Sequence, residues 1–363
     1  MPPRVTQSDL AARLGVHPAT VSLALRNSPT ISMEMRRRVQ ALAAELGYHP
    51  DPALSALMAY RSQRQAAQRP VHVVAYVTDW YTEFGWKKMP AHAGFHAGAE
   101  RKAAQLGYRL EHFWLGAEGM NARRLSRILH TRRITGVLLA THRHDREGPL
   151  ELEWEQISGV RIDYHPRSPA LNAVTNHQTA MVRTAYRKAL EAGCRRVGLV
   201  MPREFDEQVD WAWSAGFLLE QDRAGADRIP ILYHDARRES HGGGPGVAPF
   251  AAWLKAYRPD VILAHTPFIQ PDLDMLGLAV PDDLALIDLF LTRADGSVAG
   301  LWHHCERVGE VAMEQLAIQL QQNQFGVPAV SAFTYVEGGW VDGRTLRPPP
   351  LPVSRHRSPR RTP

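Results

Sequence analysis

The middle of the chain carries aromatic, acidic and imidazole residues directly after its apolar segments, where a parallel sheet would present them to a ligand. Aromatic faces combined with a few carboxylates and imidazoles suit a polyhydroxylated or heterocyclic small molecule. For each tryptophan in this set, burial in the protein core is the alternative. The residues expected to contact a small ligand are Asp79, Trp80, Asp163, Trp211, Trp213, His265, Phe268, Asp288, Trp302 and His304.

The segment VHPATVSLALRN, at 16–27, combines small side chains with helical spacing. Ala19, Thr20 and Ser22 would let another molecule approach the backbone closely. Hydroxyl groups can bond a phosphate or a base edge, and an alanine methyl can contact a thymine methyl. The segment therefore predicts a helix that enters a DNA groove, although packing within a small helical bundle would also explain its small residues.

Local capping signals place three helices around this segment. Thr6 is expected to cap a first helix that Gly15 ends, and Pro18 fits early in a second helix because no backbone N–H is needed there. Ser32 is expected to cap a third helix with an apolar inner stripe. Two short helices joined by a tight turn and supported by a third form a helix-turn-helix domain, which we assign to residues 1–50.

The net charge of +6 is unevenly distributed along the 363 residues. Residues 1–69 carry +5 and residues 344–363 carry +6, so the part between them carries −5. A basic head on an acidic body suggests a module that binds a polyanion, although solvated surface charge is an alternative. The Pro- and Arg-rich segment at 344–363 lacks apolar periodicity and is expected to be a disordered tail.

Chain length and cysteine usage indicate a protein of two or three domains in a reducing compartment. Cys194 and Cys305 are far apart in sequence, so neither a disulfide nor a zinc site is expected. No apolar run is long enough to cross a bilayer, and MPPRVTQSDL lacks the apolar region of a signal peptide. We therefore expect a cytoplasmic protein with no metal ion and no cofactor.

Strand-sized apolar runs alternate with helical patterns from Val71 onward. VHVVAYV, GVLLAT, RRVGLVM and DVILAH are examples of the runs, and AHAGFHAGAERKAAQLGY and FAAWLKAYRP are examples of the helices. Such alternation predicts parallel sheets with helices on both faces. The predicted fold class is therefore an N-terminal all-α helix-turn-helix head followed by an α/β core at 70–343.

The segment VTQSDLAARLGVHPATVSLALRNSPTISMEMRRRVQALAAELGYHPDP resembles the head of the LacI/GalR family of bacterial transcription regulators. The resemblance implies a homodimer that binds a near-palindromic double-stranded DNA operator. His17 stands where the family usually has Ser, and shorter or apolar residues replace the long side chains that commonly read bases. The operator sequence therefore does not follow from that of relatives. The implied DNA contacts are Thr6, Pro18, Ala19, Thr20, Ser22, Leu23 and Arg26.

Residues 51–69 resemble the hinge helix and linker of the same family. In the family this helix forms on DNA and inserts a leucine into the minor groove, which kinks the duplex. Leu54 and Leu57 occupy the corresponding pattern here, and the resemblance implies that Leu57 is the wedge. An ordinary amphipathic linker helix is the alternative.

The core resembles the family's effector-binding region, which has two lobes and is similar to periplasmic sugar-binding proteins. The resemblance implies a first lobe at about 70–172 and 303–330, a second lobe at about 173–302 and 331–343, and a ligand in the cleft between them. The family's polar clamp is largely missing. Trp213 replaces an arginine, His265-Thr266 replaces Asn-Asp, Asp288-Leu289-Phe290-Leu291 replaces GFDD, and His303 or His304 replaces a glutamine.

These departures leave three options for the core: a different effector, a pocket rebuilt around aromatic stacking, or no small ligand. The patterns together predict a sequence-specific DNA-binding transcriptional regulator, most simply a repressor, whose operator affinity is modulated by a sugar-like ligand. The first alternative is a DNA-binding regulator without a small-molecule effector.

A sugar-processing enzyme is the second alternative, although the sequence contains no P-loop, GxSxG or HExxH motif. HGGGPG at 241–246 is similar to an esterase oxyanion loop, but no nucleophile motif accompanies it and a turn explains it. His96, His142 and His144 are expected to be isolated histidines on the surface. We therefore predict that the protein is not an enzyme.

Overall fold

The computed structural model describes residues 5–25, 27–28, 30–48, 72–143, 145, 148–225, 227–235 and 244–347. The predicted hinge at 51–69 lies outside these residues, as does the predicted tail beyond residue 347. His144 and the first half of the HGGGPG segment, residues 241–243, also lie outside them.

Three helices form the head: α1 Gln7–Leu14, α2 Pro18–Leu25 and α3 Met33–Glu45. Thr6 caps α1 by accepting a hydrogen bond from the backbone of Asp9, and Gly15 ends α1 with a left-handed backbone (φ +67°). Ser32 caps α3 by accepting from the backbone of Met35. The predicted caps are therefore confirmed. The buried residues that hold the three helices together are Leu10, Ala11, Val21, Ala24, Val39 and Ala43.

The chain divides into two compact units, which are residues 1–175 with 305–336 (unit 1) and residues 176–304 with 337–363 (unit 2). The described strands form two six-stranded sheets, one for each unit. Both sheets are largely parallel, with helices between most consecutive strands, so the predicted α/β fold class is confirmed.

The first sheet has the strand order β11-β5-β4-β3-β1-β2. Its strands are β1 His72–Asp79, β2 Tyr108–Trp114, β3 Gly136–His142, β4 Ser158–Ile162, β5 Asn172–Asn176 and β11 Phe333–Val336. The helices of this unit beyond the head are α4 Pro90–Gln105, α5 Ala122–Thr131 and α11 Cys305–Gln321, with short 3-10 turns at Gly85–Lys88 and Trp154–Gln156. The central strands β1 and β3 are almost wholly buried, because helices cover both faces of the sheet.

The second sheet has the strand order β12-β10-β9-β8-β6-β7. Its strands are β6 Val197–Pro202, β7 Leu232–His234, β8 Val261–Ala264, β9 Ala285–Asp288, β10 Ala299–Trp302 and β12 Gly339–Val341, the last of which is antiparallel to β10. The helices are α6 Gln178–Glu191, α7 Arg203–Gln208, α8 Ala212–Arg223, α9 Val247–Tyr257 and α10 Thr266–Leu276.

The chain passes between the units later than the sequence analysis placed it. The first passage follows residue 175 rather than 172, because β5 continues to Asn176. The second follows residue 304. The third follows residue 336 rather than 330, because β11 belongs to the first sheet. Residues 331–336, which we had assigned to the second lobe, therefore belong to unit 1.

Glycines allow α4 and α11 to pack backbone to backbone in unit 1. A Cβ atom on Gly98 of α4 would clash with the carbonyl oxygen of Glu306, and one on Gly309 of α11 would clash with that of Phe95. The close approach lets α11 cover the first sheet, where Val308 and Leu316 are fully buried. Helix α11 is thus part of the core of unit 1, although unit 2 precedes it in the sequence.

Candidate functional site

The start of α2, which is predicted to contact DNA, lies on the surface of the head. His17, Pro18 and Ala19 are all exposed, whereas Val21 on the inner face is fully buried. The backbone N–H of Ala19 donates to Nδ1 of His17 at 3.2 Å. His17 therefore caps α2 as the usual serine would, because a neutral imidazole with its proton on Nε2 has Nδ1 free to accept.

The other predicted DNA contacts divide between exposed and half-buried positions. Thr6 is exposed, but its hydroxyl is engaged with Asp9 in a capping box, which makes its first role structural. Thr20, Ser22 and Leu23, on α2, are half-buried. Arg26, Leu54 and Leu57 lie outside the described residues, so their DNA contacts stay predictions.

Helix α3 holds the turn that follows α2. Asn27 has a left-handed backbone (φ +53°), and its side-chain oxygen accepts from Gln40 Nε2 at 2.7 Å. The backbone N–H of Ser28 donates to the carbonyl of Leu23 at 2.9 Å, which closes the helix end. These hydrogen bonds hold the backbone of the turn between α2 and α3 in place.

In unit 1, two predicted ligand residues, Asp79 and Trp80, lie at the carboxyl end of β1, which pairs with β3. Asp79 is buried, and Trp80 is half-buried with its ring centre 5.2 Å from that of His92. Thr141, at the end of β3, has φ +57°, which is an outlier for a β-branched residue, and its hydroxyl lies 3.3 Å from Nδ1 of His92. Burial lowers the pKa of His92 to about 4, so the ring is neutral near pH 7.

Asp163 follows β4 at the same edge of the first sheet. It is buried, has φ +73°, and accepts a 2.9 Å hydrogen bond from the hydroxyl of Thr175. Burial raises the pKa of Asp163 to about 6. The carboxyl group can therefore exist in both protonation states close to neutral pH.

Three rings that pack against one another lie at the middle of the carboxyl edge of the second sheet, in unit 2. We call them the inner cluster (Trp213, Phe290 and His303). The Trp213 and Phe290 ring centres lie 5.1 Å apart, and the His303 ring stacks on Phe290 at 5.3 Å. The Nε2–H group of His303 donates to the carbonyl of Leu289 at 2.6 Å. Trp213 is only 1% exposed, which favours the core alternative for this residue.

Asp288 and His265 form a polar pair at the ends of β9 and β8. Nδ1 of His265 lies 3.4 Å from the carboxylate, which also accepts from the backbone N–H groups of Thr266 and Phe290. Burial opposes ionisation of Asp288, but these hydrogen bonds outweigh it and hold the pKa of its carboxyl below the ordinary value. The Asp288 carboxylate therefore holds the backbone that follows β8 and β9 in place.

A partly exposed aromatic group with an arginine over it lies near the carboxyl ends of β6 and β7, and we call it the Arg203 cluster (Arg203, Trp211 and Tyr233). The guanidinium of Arg203 lies 4.5 Å from the ring centre of Tyr233 and 5.7 Å from that of Trp211. Beneath it, Asp206 is fully buried and accepts from the Tyr233 hydroxyl at 2.6 Å. Oδ1 of Asp206 also accepts from the backbone of Trp213, in the first turn of α8.

The remaining predicted ligand residues lie around these groups. Phe268 is half-buried with its ring centre 5.0 Å from that of His265. Trp302 is half-buried and His304 is exposed, and their ring centres are 6.5 Å apart. Arg203, Asp206 and Tyr233 were not among the predicted ligand residues. Arg203 directly follows β6, so a list of the residues after each strand would have included it.

Two histidines differ from the sequence analysis, which placed them on the surface. His142 is buried at the end of β3, with Nδ1 3.1 Å from the carbonyl of Ala140. His96 is half-buried in α4 and meets Tyr76 edge to face at 4.9 Å. Both rings are held within unit 1, because β3 is a central strand of its sheet and α4 packs against that sheet.

Two classes of site find no support in the described part of the chain. Across those residues, no group of three or more His, Cys, Asp and Glu side chains is placed to hold a metal ion. Nor is any helix within the described ranges long and apolar enough to cross a bilayer. The described residues instead form a capped helical head and two sheet edges lined by aromatic and imidazole rings.

Sequence comparison relates the head to known regulators. Residues 6–51 match the family model described as bacterial regulatory proteins, lacI family. The HTH-type transcriptional regulator MalR of Streptococcus pneumoniae is 23% identical over 196 residues, which are 54% of this chain and 56% of MalR. The HTH-type transcriptional regulator GntR of Pseudomonas aeruginosa is 39% identical over 67 residues, which are 18% of this chain and 20% of GntR. At most, then, the chain spans about half the length of these curated relatives.

Structure comparison covers nearly the whole chain. The lac repressor dimer bound to operator and the anti-inducer ONPF aligns with a TM-score of 0.57 and 18% identity, over 95% of this chain and all of that one. The transcriptional regulator CelR–cellobiose complex aligns with a TM-score of 0.59 and 21% identity, over 94% of this chain. At these identities the likeness establishes the fold, which is a helical head joined to a two-sheet α/β core.

Proposed function

We propose that the chain is a transcriptional regulator of the lacI family that binds a specific DNA operator, which the match of its head to that family's model and the fold of its core support. The observation that carries the proposal is the exposed start of α2. There His17, Pro18 and Ala19 face solvent on a helix whose opposite side is anchored in the head core. Such a helix can enter a major groove with its N-terminal residues against base edges.

The proposed active form is a homodimer, and its operator is a near-palindrome. Two heads related by a two-fold axis require two half-sites related by the same axis. The solved relative bound to operator is a dimer, which supports this form for a chain of the same fold. A cytoplasmic location follows from the proposal, since the bacterial DNA target lies there. Relatives of the chain are named as regulators, and we propose no catalytic activity for it.

We further propose that a small ligand bound by the core changes operator affinity, with repression as the simplest mode. A ligand acts on DNA binding only if it binds two conformations with different affinity, and the coupling in such systems is about 1–3 kcal/mol. The solved relative CelR is a complex with cellobiose, so a saccharide is the class of ligand that the resemblance suggests first.

A second candidate is a DNA-binding regulator that responds to no small molecule. The inner cluster favours it, because Trp213 and His303 are buried and their contacts are made within unit 2. At the middle of this sheet edge, where a ligand would bind, residues of unit 2 already pack against Trp213 and His303. The hydrogen bond of His303 is also made within unit 2.

The proposed DNA binding is tested by selecting sequences from a randomised duplex pool with the full-length protein, followed by footprinting. We expect enrichment of a near-palindrome whose protected half-sites are symmetric. The variant Ala19→Glu should lose specific affinity by about 100-fold or more, because a carboxylate would face phosphates and base acceptors. An acidic residue in the first turn favours the helix, so the loss would not be due to unfolding of α2.

The matched control is Ala44→Glu, which adds the same charge at an exposed position near the end of α3. It should change specific affinity several-fold at most, because surface charges far from the contact act through screened interactions. A pool with no enriched sequence, or equal losses in the two variants, would contradict the proposed role of α2.

A further inference from the structure

The chemistry of the ligand can be inferred from the Arg203 cluster in unit 2. Arg203 is exposed and Trp211 is 39% exposed, so solvent reaches both the guanidinium and the indole. The Trp211 and Tyr233 rings meet nearly at right angles, with centres 6.2 Å apart. The cluster thus offers aromatic surface and a fixed positive charge in one place at the carboxyl end of β6 and β7.

The positive charge of this cluster is available to a ligand. Among the described residues, Arg203 makes no ion pair, and its recorded contacts are the two ring faces. The nearby acid Asp206 is buried, and its charge is matched by the Tyr233 hydroxyl and by the backbone N–H groups of Trp213 and Ser214. A guanidinium held over aromatic rings is well placed to form two parallel hydrogen bonds with a carboxylate.

The surroundings continue the aromatic surface. Phe205, on α7, has its ring centre 5.8 Å from that of Phe268 and 5.5 Å from that of Phe290. His234, at the end of β7, meets Phe268 edge to face at 6.1 Å. Flat apolar faces of this kind stack on a planar ring, and they supply few of the hydrogen bonds that a sugar's hydroxyl groups require.

Two polar side chains of this edge, Asp288 and His303, are already hydrogen-bonded within unit 2. Asp288 holds His265 and two backbone N–H groups, and His303 donates to Leu289. A saccharide would have to break these hydrogen bonds to gain its own, and each buried group left without a partner carries a desolvation cost. An aromatic ligand would leave them intact.

We propose that the regulatory ligand is a planar aromatic carboxylate, whose ring stacks on the exposed indole of Trp211 and whose carboxylate pairs with Arg203. The inference rests on the proposed function in one respect, which is that the core binds a regulatory ligand. It replaces the saccharide class that resemblance alone suggests with a class read from the side chains of this chain.

The test is isothermal titration calorimetry on the full-length protein without DNA, with benzoate and 4-hydroxybenzoate as probes. Benzamide lacks the charge, cyclohexanecarboxylate lacks the aromatic ring, and cellobiose represents the saccharides. We expect a Kd of about 1 mM or tighter for at least one of the two aromatic acids. Benzamide and cyclohexanecarboxylate should bind at least about tenfold more weakly, and cellobiose should give no binding heat.

Variants show whether binding occurs at the proposed place. Arg203→Gln and Trp211→Gly should each weaken binding of the aromatic acid about tenfold or more. Trp211 has a left-handed backbone (φ +63°) that glycine adopts readily, so the Trp211→Gly variant should fold as well as the parent. Arg223→Gln, at an exposed position at the other end of α8, is the matched control and should bind as the parent does.

Absence of binding by both aromatic acids, or parental affinity in Arg203→Gln, would overturn the proposal, and so would binding of cellobiose alone. None of these results would affect the DNA selection, which is measured separately. Failure of the DNA selection would instead overturn the proposed function while leaving the calorimetric result to stand.

Discussion

The hydroxyl of Tyr233 donates to Oδ2 of Asp206 across 2.6 Å and joins β7 to the short helix after β6. The carboxylate is fully buried, and its second oxygen accepts from the backbone of Trp213 and Ser214 at the start of α8. One buried acid therefore sets the positions of three neighbouring segments of unit 2. It also supports the two rings of the Arg203 cluster, because it binds the Tyr233 hydroxyl and the helix that follows Trp211.

Removing that hydroxyl should destabilise unit 2. In Tyr233→Phe, a buried carboxylate loses a donor, which costs about 2 kcal/mol and lowers Tm by about 4–8 °C. Differential scanning calorimetry of the full-length protein measures the change. Tyr257→Phe is the control, because that hydroxyl makes no hydrogen bond to a residue in the described ranges, and a shift of equal size there would contradict the role of Asp206.

The cap on α2 should depend on the imidazole of His17. His17→Ala removes the acceptor for the Ala19 N–H group and should weaken α2 by about 1 kcal/mol, so that its amides exchange about five times faster. His17→Ser should restore protection, because serine caps helices through its hydroxyl. Hydrogen-exchange mass spectrometry of peptides covering 16–28 reports both. Unchanged exchange in His17→Ala would show that the imidazole is not the cap.

The stability of unit 1 should fall as pH rises from about 4 to about 6 because of Asp163. Its pKa is raised from 3.8 to about 6 in the folded chain, so the folded state retains a proton that the unfolded state has lost in this window. The contribution is at most about 3 kcal/mol. Asp163→Asn keeps the shape and tolerates the left-handed backbone, so it should remove this part of the pH dependence and raise Tm at pH 7.

Calorimetric scans between pH 4 and pH 8 test this expectation. The control Glu118→Gln changes an exposed carboxyl of the same unit and should leave the profile as it is in the parent. A parent-like slope in Asp163→Asn would show that other groups cause the dependence. His92, whose pKa is lowered to about 4, acts in the opposite direction, since the folded state loses stability as pH falls toward that value.

The helix contact through Gly98 should tolerate no side chain. Gly98→Ala places a methyl group against the backbone carbonyl of Glu306, which can move only if α4 and α11 separate. Overpacking of this kind costs about 1–3 kcal/mol and occasionally more, and it should lower the Tm of unit 1. Ala104→Ser, at an exposed position of the same helix, is the control and should change Tm little. A parental Tm in Gly98→Ala would mean that the two helices are not held this closely.

Features with local causes could be predicted from the sequence. The caps at Thr6 and Ser32 and the helix end at Gly15 follow from neighbours within a few residues, and the structure has all three. The fold class could also be predicted, because the alternation of strand and helix patterns is a local feature of the sequence. The identity of His17 as a cap was missed, because serine is the expected acceptor and imidazole is an uncommon one.

Features that depend on the order of strands in the sheet could not be predicted. Tyr233 meets Asp206 only because β7 pairs with β6, and nothing within either segment indicates that pairing. The burial of Trp213 likewise depends on Phe290 and His303, which are distant in sequence. A list of residues that follow strands therefore names the right edge without showing which side chains are buried there.

The glycine contact between α4 and α11 also bears on how the protein is made. Unit 1 joins residues up to 175 with residues 305–336, so a ribosome must synthesise nearly all of unit 2 before the helix that closes unit 1 emerges. Until then, the apolar face that Val308 and Leu316 will cover is open to solvent and to other nascent chains. Since β12 also closes the second sheet from beyond residue 336, a message truncated after residue 304 would leave both units unfinished. Such a product would be a substrate for chaperones and proteases rather than a shortened regulator.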